Sequence, residues 1–243
     1  MFDHVTIRAT DRAASEDFYN AVLRTLGIDE SYRTNLFSEW EDFTLAAASA
    51  QNPPTRRLHV GFVAPSRDQV DRFWRVGTEA GYRDDGPPGP RPEYSEDYYG
   101  AFLLDPDGNS AEAVHDSRPN RRGRIDHLWI RVADVARARA FYETIASYAG
   151  LRLGGDTPDR VQFRLADGGS FSLVPGPPTE HLHMAFPSHE NQVVDRFHEA
   201  ATAAGYASNG GPGERPRYHP GYYAAFVFDP DGNNIEVVNH NRG

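Results

Sequence analysis

The chain has 243 residues, 39% hydrophobic and 25% charged, a composition that supports a packed core and excludes a disordered polymer. Its 35 acidic against 25 basic residues leave a formal charge of −10, the wrong sign for a protein that gains affinity by neutralising phosphates. All 25 basic residues are Arg and there is no Cys, which excludes lysine Schiff bases, thiolate nucleophiles, disulfides and Cys-held metals; any metal must be held by His and carboxylates.

The chain opens on Asp3-His4, followed by Val5 and Ile7 alternating with Thr6, the period of a strand with two unlike faces. Thr10 or Asp11 can cap a helix on which Ala14, Phe18, Val22 and Leu26 form a stripe. Three short strands are expected near 31–35, 36–40 and 43–48. The cycle restarts with a strand over 58–63, a Ser66 cap, and a helix bearing Val70, Phe73, Trp74 and Ala80. Strands near 98–104 and 110–114 close it, joined by a tight Asp105-Pro106-Asp107-Gly108-Asn109 turn.

The second half repeats the first. Asp3-His4 returns as Asp126-His127, Leu58-His59 as Leu182-His183, Val70-Asp71-Arg72-Phe73 as Val194-Asp195-Arg196-Phe197, and the Asp-Pro-Asp-Gly-Asn turn as 229–233. The chain is therefore expected to be α+β, with four βαβββ modules (1–57, 58–115, 125–181, 182–240) in two tandem domains, 1–115 and 125–243. The polar stretch 116–124 reads as the linker. Such a chain is a dimer-like unit in itself, and can be monomeric or dimeric. It has no membrane-length apolar run and no signal-peptide pattern, so a cytoplasmic protein with neither membrane nor nucleic-acid partner is expected.

Strand parity sorts the polar residues. If Val5, Val60, Leu128 and Met184 meet the helices, then His4, His59, His127 and His183 face the other side of the sheet. Glu112 and Glu236, at equivalent places, share that side, and a curved sheet gathers two imidazoles and a carboxylate from each copy.

The βαβββ cadence, the Asp-His at the start of each copy, and the endings FLLDPDGNSAE and FVFDPDGNNIE resemble the vicinal oxygen chelate superfamily. That group holds glyoxalase I, extradiol dioxygenases, fosfomycin-resistance thiol transferases and bleomycin-resistance proteins. The resemblance spans nearly the whole chain and implies curved mixed sheets around ligand cavities. It also implies metal ligands at His4, His59, Glu112, His127, His183 and Glu236. Two His and one carboxylate suit Fe(II), Mn(II), Ni(II) or Zn(II) with positions open for substrate oxygens; no organic cofactor is expected. His4 can join His59 and Glu112 of its own copy, or His183 and Glu236 of the other.

The implied function is a metal-dependent enzyme on a small oxygen-rich substrate, dioxygenase-like or glyoxalase (lactoylglutathione lyase)-like. The alternative is a metal-free bleomycin-resistance-type binding protein. Three departures narrow the likeness. The strands around Thr44 and Ser172 carry no fourth carboxylate, Phe102 and Phe226 stand where extradiol enzymes keep a Tyr, and His219 has Ser95 as its counterpart. His219, Tyr99 and Tyr223 are the candidate catalytic groups. The proline-rich segments 86–99 and 210–223 are expected to cover the cavities, with Arg91, Tyr94, Arg215 and Tyr218 binding substrate. His115, His181, His189, His198 and His240 are expected at the surface.

Overall fold

The computed structural model describes residues 1–117, 122–157 and 159–241; part of the expected linker, 118–121, lies outside them. Module one runs β1 (His4–Ala9), α1 (Arg12–Leu23), β2 (Tyr32–Arg33), β3 (Phe37–Trp40) and β4 (Phe43–Ala47). Module two runs β5 (His59–Val63), α2 (Arg67–Glu79), β6 (Arg83–Pro90), β7 (Tyr99–Leu104) and β8 (Ser110–His115). Module three runs β9 (Ile125–Val132), α3 (Val135–Ile145), β10 (Leu151–Thr157), β11 (Arg160–Leu165) and β12 (Ser170–Pro175). Module four runs β13 (His183–Pro187), α4 (Asn191–Ala203), β14 (Ser208–Glu214), β15 (Tyr223–Phe228) and β16 (Asn234–Asn239). The chain is thus α+β, two tandem copies of paired βαβββ modules with curved, unclosed sheets.

Helix starts follow their caps. Asp11, Ser66 and Asp134 each accept a hydrogen bond from the backbone three residues on, satisfying one of the unpaired first-turn N–H groups. Each helix buries its apolar stripe on a sheet: Phe18, Tyr19 and Val22 of α1 lie in one core with Val5 and Ile7 of β1. The two helices of each repeat also pack on one another, α1 on α2 and α3 on α4.

The sheets do not follow the repeat boundaries. One has the order β14-β15-β16-β13-β1-β4-β3-β2, the other β10-β11-β12-β9-β5-β8-β7-β6. Module one is therefore joined to module four by the antiparallel β1–β13 pair, and module two to module three by β5–β9. Within a repeat the modules meet helix to helix; across repeats they share a sheet.

The proline-rich segments 86–99 and 210–223 begin as strand, which corrects their reading as loops. The segment 86–99 is not one long loop, because β6 runs on to Pro90 and only the turn beyond it is free of the ladder; β14 does the same to Glu214. Proline and glycine are tolerated there because β6 and β14 are edge strands, where an N–H facing outward is not needed. Among the described residues no helix is long and apolar enough to cross a membrane.

Candidate metal centres

The junction strands set the geometry. On the second sheet His127 of β9 and Glu112 of β8 are both in register with Gly61 of β5, and His59 lies two residues before Gly61. The central residue must be small for its neighbours to converge over it. A Cβ at Gly61 would stand 2.5 Å from the His127 ring. On the first sheet the row is His4, Ala185, Glu236, with His183 two residues before Ala185. The structure thus brings the six expected residues into two clusters, each built across the repeats, and the open choice of partner for His4 falls to His183 and Glu236.

In the second-sheet cluster, Nε2 of His59 lies 3.2 Å from Nε2 of His127 and 3.0 Å from Oε2 of Glu112, with 3.3 Å between His127 and Glu112. In the first-sheet cluster the separations are 3.1 Å for His4 to His183, 3.0 Å for His183 to Glu236, and 3.6 Å for His4 to Glu236. Three donor atoms about 3 Å apart match neighbouring ligands on one divalent ion with bonds of about 2.1 Å. The donor set fits a borderline metal, and no fourth donor comes from β4 or β12, whose Thr44 and Ser172 stand in the adjoining rows.

The surroundings aim these donors. His4 and His127 donate through Nδ1 to the neighbouring Asp3 and Asp126, at 2.8 and 2.9 Å, leaving Nε2 for the centre. Ser110 approaches Nδ1 of His59 at 3.1 Å, and Asn234 that of His183 at 2.6 Å. Glu112 and Glu236 are each only 1% exposed, and their outer oxygens accept from the Tyr98 and Tyr222 hydroxyls, both at 2.7 Å.

The charges follow. Burial opposes the Glu112 charge, but hydrogen bonds with His127 and His59 outweigh it and hold its pKa down to about 2. Burial lowers the pKa of His59 and of His183, favouring the neutral imidazole that a metal needs. Burial also disfavours charge on His4, yet the hydrogen bond to Asp3 and the charge of Glu236 reverse the balance and raise its pKa. The Tyr222 hydroxyl is pushed far up, first by burial and then by the Glu236 charge, so it remains a proton donor.

A cavity of about 630 Å³ lies over the second-sheet cluster, walled by Tyr94, Tyr98, Phe102, Trp129 and Arg160. Tyr94 is among its lining residues, with its ring 5.8 Å from Trp129. The other expected site residues sit elsewhere. Tyr99 and Tyr223 have the opposite strand parity and donate to Asp71 and Asp195 on α2 and α4. Arg91 donates to the Pro87 and Pro90 carbonyls and covers Phe102. Arg215 donates to Gly211 and Glu214 and covers Phe226. These guanidinium groups close their own turns. Tyr218 is 47% exposed, packed on Tyr222 and contacted by Arg217.

His219 lies behind the first-sheet cluster instead of in it. Its Nε2 is 2.7 Å from Nδ1 of His240, and His240 donates through Nε2 to Asp3 at 2.9 Å, which in turn holds His4. His240 is therefore part of a partly buried chain of groups, not a plain surface residue. The sequence reading missed Tyr98, Tyr222, Trp129 and Arg160. Parity would have found the tyrosines, since Phe102 pairs with Glu112 and Tyr98 lies four residues before it on the same face.

A family model described as Glyoxalase/Bleomycin resistance protein/Dioxygenase superfamily matches residues 1–113 and 124–237. No curated protein sequence matches the chain. Among solved structures, glyoxalase I from Zea mays superposes with a TM-score of 0.72 at 18% identity, covering 98% of this chain and 92% of that one. A putative dioxygenase from Bacillus subtilis superposes at 0.69 with 15% identity, covering 100% of this chain and 86% of that one. At these identities the structures speak for the fold alone, while the family model accounts for both repeats: the chain belongs to the Glyoxalase/Bleomycin resistance protein/Dioxygenase superfamily.

Proposed function

We propose that this chain is a divalent-metal enzyme that acts on a small substrate bearing vicinal oxygens, with dioxygenase-like chemistry favoured over glyoxalase-like. The observation that carries this reading is the convergence of two imidazole nitrogens and one carboxylate oxygen at about 3 Å in each sheet, without a fourth donor among the described residues. His59, His127 and Glu112 would hold one ion, and His4, His183 and Glu236 another, with Fe(II), Mn(II), Ni(II) or Zn(II) as candidates. When bound, such an ion supplies Lewis-acid stabilisation of negative charge on chelated substrate oxygens.

The chain's own groups do the rest. Asp126 and Asp3 fix the tautomer and aim of His127 and His4. Tyr98 and Tyr222 keep the outer oxygens of Glu112 and Glu236 occupied, so that each presents its Oε2 inward. Phe102 and Trp129 exclude water from the wall beside His59. The boundaries 1–115 and 125–243 belong to this reading as units of duplication, each contributing to both centres.

The test is metal analysis of the chain after anaerobic loading with each of the four ions, followed by a screen against catechols and hemithioacetals. Stoichiometric retention that is lost in His59→Ala, with turnover of a catechol, supports the reading. Absence of any retained ion, with small-molecule binding unchanged in His59→Ala, would replace it with a metal-free binding protein.

A further inference from the structure

The cavity over the second-sheet cluster holds a partly buried guanidinium, Arg160, with no carboxylate against it among the described residues. Along β11, Val161, Phe163 and Leu165 are buried in the core, so Arg160, Gln162 and Arg164 turn to the opposite face and line the cavity. The Arg160 guanidinium lies 5.1 Å over the Trp129 ring, and its Nε donates to Ser172 at 3.0 Å. Arg164 donates through Nε to Gln162 at 3.0 Å. Among the described residues neither guanidinium is paired with a carboxylate.

Of the acids that line the same cavity, four have other hydrogen-bond partners and the fifth, Glu93, is exposed to solvent. Asp85 accepts from Ser110, Asp126 from His127, and Asp156 from Arg139; Glu112 belongs to the metal cluster, and Glu93 stands on the exposed turn after β6. Burial, and the neighbouring charge of Arg164, both lower the pKa of Arg160, the mark of a cation short of its counter-ion. A partly buried cation without a counter-ion, with the exposed Arg164 as its like-charged neighbour, gains from an anion that joins it. The indole of Trp129 and the ring of Tyr94 beside it, 77° apart, provide flat walls.

We infer that this cavity takes a small aromatic molecule carrying a carboxylate, its anionic group held by Arg160, with Arg164 at the rim, and its ring lying along the aromatic wall that Trp129 and Tyr94 form together. The inference deepens the proposed function and rests on its reading of the His59, Glu112 and His127 cluster as the substrate-facing centre. A guanidinium suits the role because its planar fork binds carboxylates at two points. A volume of about 630 Å³ suits a ligand of this size.

The other centre lacks this wall. The row Gln162, Ser172, Trp129 on the second sheet is matched on the first by Glu39, Thr44, Thr6, and the Arg160 position is taken by Phe37. Where one centre offers a cation and an indole, the other offers a carboxylate and a threonine. Arg8 and Arg131 occupy equivalent strand positions, so each centre has one arginine nearby, and what the second-sheet centre adds is Arg160 stacked on Trp129. Preference for an anion is therefore a property of the second-sheet centre, and the duplicated sites have diverged in what they admit.

The experiment is calorimetric titration of the full chain with benzoate and with its neutral isostere benzamide, in the original protein and in Arg160→Gln, Arg164→Gln, Glu39→Gln and His59→Ala. Benzoate is expected to bind about tenfold or more tightly than benzamide, the difference one charge-assisted contact makes. Arg160→Gln should abolish that preference and Arg164→Gln should reduce it, with metal content and the thermal unfolding midpoint unchanged, while Glu39→Gln should leave it intact. Equal binding of the two probes, or a preference that survives in Arg160→Gln, overturns the proposal. So does a preference lost in His59→Ala alone, because the carboxylate would then sit on the metal centre. Failure of the metal reading shows separately, as absence of retained ion.

Discussion

The hydroxyl of Tyr98 donates to Oε1 of Glu112 at 2.7 Å, and Tyr222 repeats the contact with Glu236. Each carboxylate is thereby split between an outward hydrogen bond and an inward donor atom. Tyr98→Phe leaves the outer oxygen of a carboxylate that is 1% exposed without this donor. Metal affinity at the second-sheet centre is expected to fall roughly 10- to 100-fold, as for the loss of other groups that orient a ligand. Folding stability should fall by about 1 to 3 kcal/mol, the cost of an unsatisfied buried acceptor. Competition with a chelating dye and urea unfolding check the two effects.

Gly61 and Ala185 hold equivalent places between the His and Glu of each centre, yet they differ in the room they leave. At Gly61 an added Cβ would meet three atoms of the His127 ring, the nearest at 2.5 Å. Gly61→Ala should therefore push the ring out of line and weaken metal retention at the second-sheet centre, with an overpacking cost of about 1 to 3 kcal/mol. Ala185→Gly removes a methyl that the first-sheet centre already accommodates. It should cost about 1 to 2 kcal/mol, from the strand penalty and the methyl lost from the buried cluster with Tyr222, Phe226 and Val238, and leave metal retention unchanged. Metal content and unfolding curves of both variants decide the point.

Much of this architecture was legible in the chain because alternation in a strand is a strong signal. Val5, Val60, Leu128 and Met184 had to be buried, so the four histidines beside them had to share the other face. The choice between joining β1 to β5 or to β13 left no such trace. Both neighbours are short, half-apolar strands with a His of the same parity, and the arrangement adopted is one in which α1 packs on α2 and α3 on α4, contacts between segments far apart in the chain that alternation does not report. The edge strands β6 and β14 were hidden for a different reason. RDDGPPGP and SNGGPGE carry almost no side chains that alternate, and only their position at a sheet edge permits them to pair. Tyr98 and Tyr99 are adjacent, and one step of register sends one to the centre and the other to Asp71 on α2.

The turn after β7 ties the fold to the centre. Asp105 accepts from the backbone of Asp107 and Asn109 and from the buried hydroxyl of Tyr19 at 3.0 Å. Asn109 in turn accepts from the backbone of Leu58 and donates to the Thr55 carbonyl, which fixes the chain one residue before His59. Tyr19→Phe removes one of these bonds and should cost about 1 kcal/mol. Asn109→Ala removes several and strands the Leu58 N–H in the interior, so about 2 to 4 kcal/mol is expected, together with weaker metal retention at the second-sheet centre. Guanidinium unfolding with metal analysis checks both; equal costs for the two variants would show that Asn109 does not position this strand.

The sharing of each centre between repeats makes a stoichiometric prediction. His59 and Glu112 come from the first repeat and their partner His127 from the second, while His4 joins His183 and Glu236. Each centre holds one ion under the proposed function. The double variant His59→Ala with His127→Ala then damages a single centre and should retain about half of the metal bound by the original chain. His4→Ala with His59→Ala damages both centres and should retain almost none. Assembly within each repeat reverses the outcome, because His59 and His127 would then serve different centres and His4 and His59 the same one. Loading both variants with the same ion and measuring metal per chain by mass spectrometry separates the two arrangements. Circular dichroism confirms that the loss is local, since removing two ring contacts over the sheet leaves the apolar core beneath α1 to α4 untouched.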